Sequence, residues 1–265
     1  MFASQRQAHI LETVRRDGAV RVADLTSAFG VSDMTVRRDL DVLARQGLVH
    51  KVHGGATIAG TSSAEEPGFE VNRLQHQQEK AAVAAAAVSL VQPGTAVGLS
   101  GGTTTWALAH VLREVPGLTV VTNSIQVAEV LHSGGAGQTV VLTGGVRTPS
   151  DALVGPVAVS ALRQLHLDIV FMGVHGFDSQ HGLTTPNMPE AEANRAFASA
   201  ARRLAVVADH TKWGVVGLST FAALEDVDVM ITDDGLPAAA RRELQERVGE
   251  LVLAPRLPDT ADALA

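Results

Sequence analysis

The sequence predicts an α/β protein in two parts, a winged helix-turn-helix head followed by a larger Rossmann-like parallel α/β domain. Three observations carry this. Within residues 25–56 a short apolar-striped helix, a glycine, a capped basic helix and a glycine-rich hairpin follow in that order. Beyond Pro93, short β-type runs alternate with helical segments, the pattern of a parallel sheet covered on both faces. Between the two, residues 59–68 (AGTSSAEEPG) are small and polar with one Pro and two Gly, a linker by composition. The expected division is therefore 3–58, the linker 59–68, and 69–255.

In the head, a helix over 22–29 places Val22, Leu25 and Phe29 on one face. Gly30 suits the left-handed residue that ends a helix. Ser32 stands at an N-cap with Asp33 in the first turn, where the helix dipole favours it. The second helix runs to about residue 46 with Val36, Leu40 and Leu43 inward, and Gly47 closes it. Its outer face carries Thr35, Arg37, Arg38 and Asp41, where a recognition helix places the side chains that read DNA. Residues 48–52 alternate as a strand, and His53-Gly54-Gly55 supplies a turn. Such a wing lies along the phosphate backbone, so Lys51 and His53 are candidate phosphate contacts.

The chain has 265 residues, no Cys, no Tyr and 3% aromatic residues, so Ala, Val and Leu must fill much of the interior. Without Cys, neither a disulfide framework nor a thiolate metal site is possible. The N-terminus lacks an apolar core of signal-peptide length. The longest apolar run, 81–91, is too short to span a bilayer. A soluble cytoplasmic protein, away from membranes, is expected. The net charge of −7 divides unevenly: residues 1–57 hold eight Lys/Arg against six Asp/Glu, and the remainder thirteen against twenty-two. A weakly basic head on an acidic body limits non-specific DNA affinity. Useful affinity then calls for more than one head, in a homodimer or homotetramer.

In the larger domain a helix is expected over 69–91. Strands follow at 96–99, 118–121, 139–142, 169–172, 203–207 and 229–231, with helices at 106–113, 125–132, 156–164, 190–201 and 237–246. Every strand ends in a polar loop: Ser100-Gly101-Gly102-Thr103-Thr104-Thr105, Thr122-Asn123-Ser124, Thr143-Gly144-Gly145, Gly173-Val174-His175-Gly176, Asp209-His210-Thr211-Lys212 and Thr232-Asp233-Asp234. In an open parallel sheet these carboxyl ends share one edge, where ligands bind. Residues 101–105 join a strand to a helix N-terminus, where free N–H groups and the dipole favour a phosphate. They form neither a P-loop nor a dinucleotide fingerprint. No cofactor is expected, and no His pair has helical metal-ligand spacing.

At this point a resemblance emerges. Residues 4–57 resemble the DNA-binding head of DeoR-type bacterial transcription regulators. The carrying residues are Leu25, Phe29, Val31-Ser32, Thr35-Val36-Arg37-Arg38-Asp39-Leu40, Leu43, Gly47 and His53-Gly54-Gly55-Ala56. Residues 70–234 resemble the sensor domain of the same family through Glu70 with Arg73, Lys80, Gly102-Thr103-Thr104, Thr122-Asn123-Ser124, Thr143-Gly144-Gly145, Gly155, Asp168, Gly176, Gly182-Leu183, Asp209 with Lys212, and Thr232-Asp233. The resemblance implies a double-stranded DNA operator as partner, a sensor fold similar to ribose 5-phosphate isomerases, and phosphorylated sugars or related small anions as effectors. The family often has Asp where this chain has Ser100, and a neutral hydroxyl there changes which part of a sugar can be held.

DNA contact is thus expected from Ser32, Thr35, Arg37, Arg38, Lys51 and His53. The effector's phosphate is expected on Gly101, Gly102, Thr103 and Thr104, helped by Asn123 and Ser124. Lys212 supplies charge, Asp209 and His175 read hydroxyls, and Ser100, Gly144 and Gly145 complete the site. The rival reading is a sugar-phosphate isomerase with an accessory DNA-binding head. Enolisation needs a positioned carboxylate. The isomerases carry an acidic cluster after the fourth strand, where this chain reads Met172-Gly173-Val174-His175-Gly176, leaving Asp178 nearby without a partner.

Overall fold

The computed structural model describes residues 3–17, 19–46, 48–52, 54–58, 63–64, 66, 68–133 and 136–256. The chain forms two compact units, residues 1–75 and 76–265. The first contains α1 (Ala3–Asp17), β1 (Ala19–Arg21), α2 (Val22–Phe29), α3 (Asp33–Arg45), β2 (Val49–Val52), β3 (Gly55–Ile58) and α4 (Phe69–Arg73). The strands form one antiparallel sheet in the order β1-β3-β2.

The helix-turn-helix matches its sequence signals. Gly30 is left-handed at φ 62° and its N–H closes α2 on Thr26 O. Ser32 Oγ accepts from Thr35 N at 3.3 Å and caps α3. Val36, Leu40 and Leu43 pack into a core with Leu25, Val49, Ile10 and Val14. The last two belong to α1, which the sequence reading did not single out, nor did it find β1. Among the described side chains of α1 only Ile10 and Val14 are buried apolar positions, in line with the buried Arg6, and β1 is three residues defined by pairing with β3. The expected residues Gly47 and His53 lie outside the described residues.

One polar contact holds the recognition helix. Arg6 Nε on α1 meets Asp39 Oδ2 on α3 at 2.5 Å, with both side chains almost wholly buried. Gln7 Nε2 donates to Asp39 Oδ1 at 3.0 Å. Removing one partner leaves the other charge in the interior.

The second unit contains α5 (Gln77–Ala87), β4 (Ala96–Leu99), α6 (Thr103–Leu112), β5 (Thr119–Thr122), α7 (Ile125–His132), β6 (Thr139–Leu142), β7 (Val146–Arg147), β8 (Leu153–Val154), α8 (Pro156–Leu162), β9 (Ile169–Met172), β10 (Gly176–Asp178), β11 (Gly182–Thr185), α9 (Met188–Ala200), β12 (Leu204–Val207), β13 (Ser219–Ala222), β14 (Val229–Asp233), α10 (Ala238–Arg247) and β15 (Glu250–Ala254). Seven strands form one sheet in the order β15-β14-β12-β9-β4-β5-β6. Every pairing in it is parallel. Along β9, Val170 and Met172 enter one core and Ile169 and Phe171 the other, so both faces are covered.

The expected helix over 69–91 is broken. α4 ends at Arg73, His76 adopts a left-handed conformation at φ 49°, and α5 restarts at Gln77. A non-glycine left-handed residue stops a helix, and the helix-forming residues around His76 conceal the break. The hairpin β7–β8, the small sheet β10-β11-β13 and the edge strand β15 are additions to the elements read from the sequence. Their short segments depend on distant pairing rather than local pattern.

Arg6→Ala and Asp39→Ala are each expected to destabilise the head by ~3–5 kcal/mol, because each breaks a buried ion pair. Hydrogen exchange of the α3 amides checks this: protection should fall steeply in both variants while the sheet amides of the second unit keep theirs.

Candidate functional site

On the head, Arg37 and Arg38 project from the exposed side of α3, with Thr35 half-buried beside them. Arg37 Nε pairs with Asp33 Oδ1 at 3.1 Å, about half of each side chain being exposed. Such a surface pair contributes little and gives way to a stronger acceptor. Ser32 Oγ is occupied in capping α3. Lys51 Nζ on β2 bonds Asp41 Oδ1 on α3, tying wing to recognition helix. The Lys51 hydrogen bond is the main influence holding the Asp41 carboxyl below its ordinary value.

On the second unit, the order of the seven strands sets the position of the crevice. From β4 the chain proceeds outward through β5 to β6, and from β9 the other way through β12 and β14 to β15. The reversal lies between β4 and β9, and in an open parallel sheet the ligand crevice opens at the carboxyl ends of such a pair. Ser100 and Gly173 follow these two strands directly. The Gly173 N–H donates to Ser100 Oγ at 3.1 Å, closing the floor of the crevice.

The loop from Ser100 to Thr105 is rigid. Gly101 N donates to Asn123 Oδ1 at 2.8 Å, and Asn123 Nδ2 donates to Leu153 O at 3.0 Å. Thr105 Oγ1 lies 2.7 Å from Ser100 O. Gly102 sits at φ 153°, and a Cβ on Gly101 would fall 2.7 Å from Ala152 Cβ, so both positions need glycine. The first helical bond of α6 runs from Trp106 N to Gly102 O. The amides of Thr103–Thr105 therefore precede it, at the positive end of a ten-residue helix. Asn123 and Ser124, expected as helpers to the phosphate, are fully buried and bonded within the protein. Asn123 braces the loop, and Ser124 Oγ caps α7 by accepting from Val127 N at 3.2 Å.

A second cluster lies on the same edge, at the end of β12. Asp209 is fully buried; its Oδ1 accepts from Thr211 N at 3.2 Å and from the Thr211 hydroxyl, and its Oδ2 has no hydrogen-bond partner among the described residues. Burial alone pushes Asp209 up, but Lys212, the Thr211 hydroxyl, Lys80 and His76 outweigh it and hold the carboxyl below its ordinary value. Lys80, on α5, is buried, and desolvation pushes its ammonium down to about 8, against the opposing pull of Asp209. His76, whose ring lies 6.3 Å from that of His210, is pushed down by burial. Adjacent strands stand about 4.8 Å apart, so the two-strand step from β4 to β12 is ~10 Å, roughly the reach of a small phosphorylated molecule.

Lys80 and His76 were missing from the expected site. Lys80 had a signal: it stands three and four residues before Val83 and Ala84 and seven before Ala87, all buried, so it lies on the inward stripe of α5. A lysine on an apolar stripe asks for a partner. His76 had none, because its place follows from the break in the helix.

The remaining expected residues lie in loops that follow β6 and β9. Gly144 and Gly145 follow β6 with φ of 73° and 124°. His175 is half-buried, and its N–H donates to Thr184 O at 3.2 Å. Asp178 is committed to a turn: Oδ1 accepts from Gln180 N at 2.9 Å and His181 N at 2.6 Å, and Oδ2 meets His181 Nδ1 at 2.9 Å. Its partners are those of a turn, with His181 in place of a second carboxylate.

Known proteins resemble this chain over nearly its whole length. The family described as DeoR C terminal sensor domain matches residues 75–234, and that described as DeoR-like helix-turn-helix domain matches 6–62. The HTH-type transcriptional regulator YgbI of Escherichia coli strain K12 is 39% identical over 96% of this chain and 99% of its own. The glycerol-3-phosphate regulon repressor of the same strain is 30% identical, over 96% of this chain and 100% of its own. The structure of ribose 5-phosphate isomerase A from Methanocaldococcus jannaschii aligns with a TM-score of 0.38 at 18% identity, covering 51% of this chain and 53% of that one. The full-length relatives are regulators, and the enzyme reading gives way to them. No described helix is long and apolar enough to cross a membrane.

Asp41→Asn should release Lys51 for phosphate. Affinity for non-specific DNA is expected to rise, and the log–log salt slope to steepen by ~0.9. Fluorescence anisotropy across a salt series measures both; an unchanged slope would show that Lys51 does not reach the backbone.

Proposed function

Because the chain belongs to the DeoR family of DNA-binding transcription regulators, we propose that it represses sugar or carbohydrate genes, and that a phosphorylated sugar or related small anion controls its hold on the operator. The observation that carries the effector half is the pairing, on one sheet edge, of the open N-terminus of α6 with a buried Asp209 flanked by Lys80 and Lys212. The helix end offers amides to a phosphate. The carboxylate, with one oxygen still unpartnered, accepts from a hydroxyl of the same ligand. His175, in the loop after β9, is a further hydroxyl contact. Ser100 Oγ is already held by Gly173, so it shapes the floor of the crevice.

The DNA half rests on Arg37, Arg38, Thr35 and the wing Lys51, all on the exposed side of the head. One such head carries little net charge, so the working unit is a homo-oligomer in which two heads share an operator. An effector acts by favouring one arrangement of the chain over another, and moving most of the population requires a preference of ~5 kcal/mol.

Arg37→Ala or Arg38→Ala is expected to weaken operator binding by ~1–3 kcal/mol for a base-reading arginine, with relaxed preference at one base pair. A phosphate contact would instead weaken all sequences alike. If both variants are folded and bind the operator as well as the wild type, the assignment of α3 is wrong.

Calorimetry with a panel of phosphosugars tests the effector site. Binding should be lost or much weakened in Lys212→Ala and in Thr104→Val; a phosphosugar bound equally well by both would place the site elsewhere. The pH profile gives a separate check. Lys80 attracts an anion only while protonated, and its ammonium is pushed down to about 8. Affinity should therefore be greatest below pH 8 and fall by at most about fivefold between pH 8 and 9. In Lys80→Met the weaker residual affinity should vary less over that range.

A further inference from the structure

The seven-stranded sheet has two unlike edges. One, β15, begins with Glu250, which pairs with Arg203, and is followed at once by Pro255. Charges and proline at an edge discourage pairing with another chain. The other edge, β6, reads Thr-Val-Val-Leu, and among the described residues it pairs only with β5. Residues 138–146 (QTVVLTGGV) contain no charge and no proline.

Apolar side chains crowd this edge. Val141 is 39% exposed, Leu142 44%, Val146 70% and Val157 62%. They are half of the large apolar side chains exposed among the described residues, the others being Met34, Leu74, Met188 and Leu218. Val157 joins the group through Gly144, where a Cβ would lie 3.4 Å from Val157 Cγ1. Arg147, the next charged residue, is held by Asp151 at 2.7 Å. The patch is therefore close to neutral, on a body where residues 58–265 carry twenty-two acidic against thirteen basic side chains.

We propose that the β6 edge, with Val141, Leu142, Val146 and Val157, is the surface on which a second copy of this chain docks. Two like-charged bodies repel over most of their surfaces, and this neutral strip is where a copy meets least repulsion. A two-fold axis brings each edge to its own image, and identical strands related in that way run antiparallel. The unpaired backbone groups of one β6 then satisfy those of the other, and the exposed valines and leucine leave water together. DNA and acidic partners do not fit, because the strip offers no unpaired cation. The proposal rests on the two-headed working unit above and gives that unit its contact.

Sedimentation equilibrium of the full chain at micromolar concentration tests it. The wild type should be a dimer. Val141→Lys and Val146→Glu, which place like charges across the two-fold, should raise the dissociation constant by at least about 100-fold. Leu218→Lys, another exposed apolar position of the same body, should dimerise as the wild type does. Circular dichroism melting confirms that all three variants are folded. A monomeric wild type would overturn the proposal together with the two-headed reading. A wild-type dimer with both edge variants folded and equally tight would overturn this surface alone.

Discussion

The reversal of strand order between β4 and β9 is the constraint on which the second unit depends. In an open parallel sheet such a reversal sends the loops after the two strands in opposite directions, which is where ligand crevices form. A parallel sheet also sends every carboxyl end to the same side, so residues far apart in sequence arrive at one edge. Ser100 and Gly173, 73 positions apart, meet there through a single hydrogen bond. Glycine at 101 and 102 lets the backbone turn sharply enough to begin α6 with its amides facing the opening. None of this requires a catalytic group.

Electrostatics add a second constraint. Burying a lysine and a carboxylate is costly unless each compensates the other. Asp209 keeps its charge because Lys212, Lys80 and the Thr211 hydroxyl surround it, while Lys80 is weakened as an acceptor of charge by its own burial. A ligand anion shifts this balance by stabilising the ammonium. The head applies a milder form of the same logic: Lys51 and Arg37 are each occupied by an acidic neighbour on α3, in exposed pairs that a phosphate can displace. Self-pairing of this kind keeps the head weakly attractive to arbitrary DNA and leaves discrimination to geometry.

Much of this was legible in the sequence wherever a local signal exists. The boundaries of α2, α7, β4, β6 and β9 follow from pattern and caps, and Ser32 and Gly30 hold the roles their chemistry assigns. The polar strand-end loops were legible too, because their glycines and threonines cluster visibly. What escaped was non-local. The bond between Arg6 and Asp39 spans 33 positions. Lys80 reaches the site from a helix rather than a strand-end loop. Asn123 and Ser124 were read as ligand contacts because their type and place allow it. Only the structure shows their polar atoms already bonded to Leu153, Gly101 and Val127. Composition records the capacity to bond and not the partner.

Asn123 also links the two functions assigned to this unit. Its side chain holds Gly101 of the crevice loop and the carbonyl of Leu153, and its own carbonyl accepts from Leu153 N at 2.6 Å. β8, which contains Leu153 and Val154, pairs with β7, where Val146 opposes Val154. Three steps therefore connect the proposed phosphate cradle to an exposed valine of the proposed dimer strip. The first step runs through the buried side chain of Asn123 and the last through paired strands, so the cradle and the strip share one hydrogen-bonded frame.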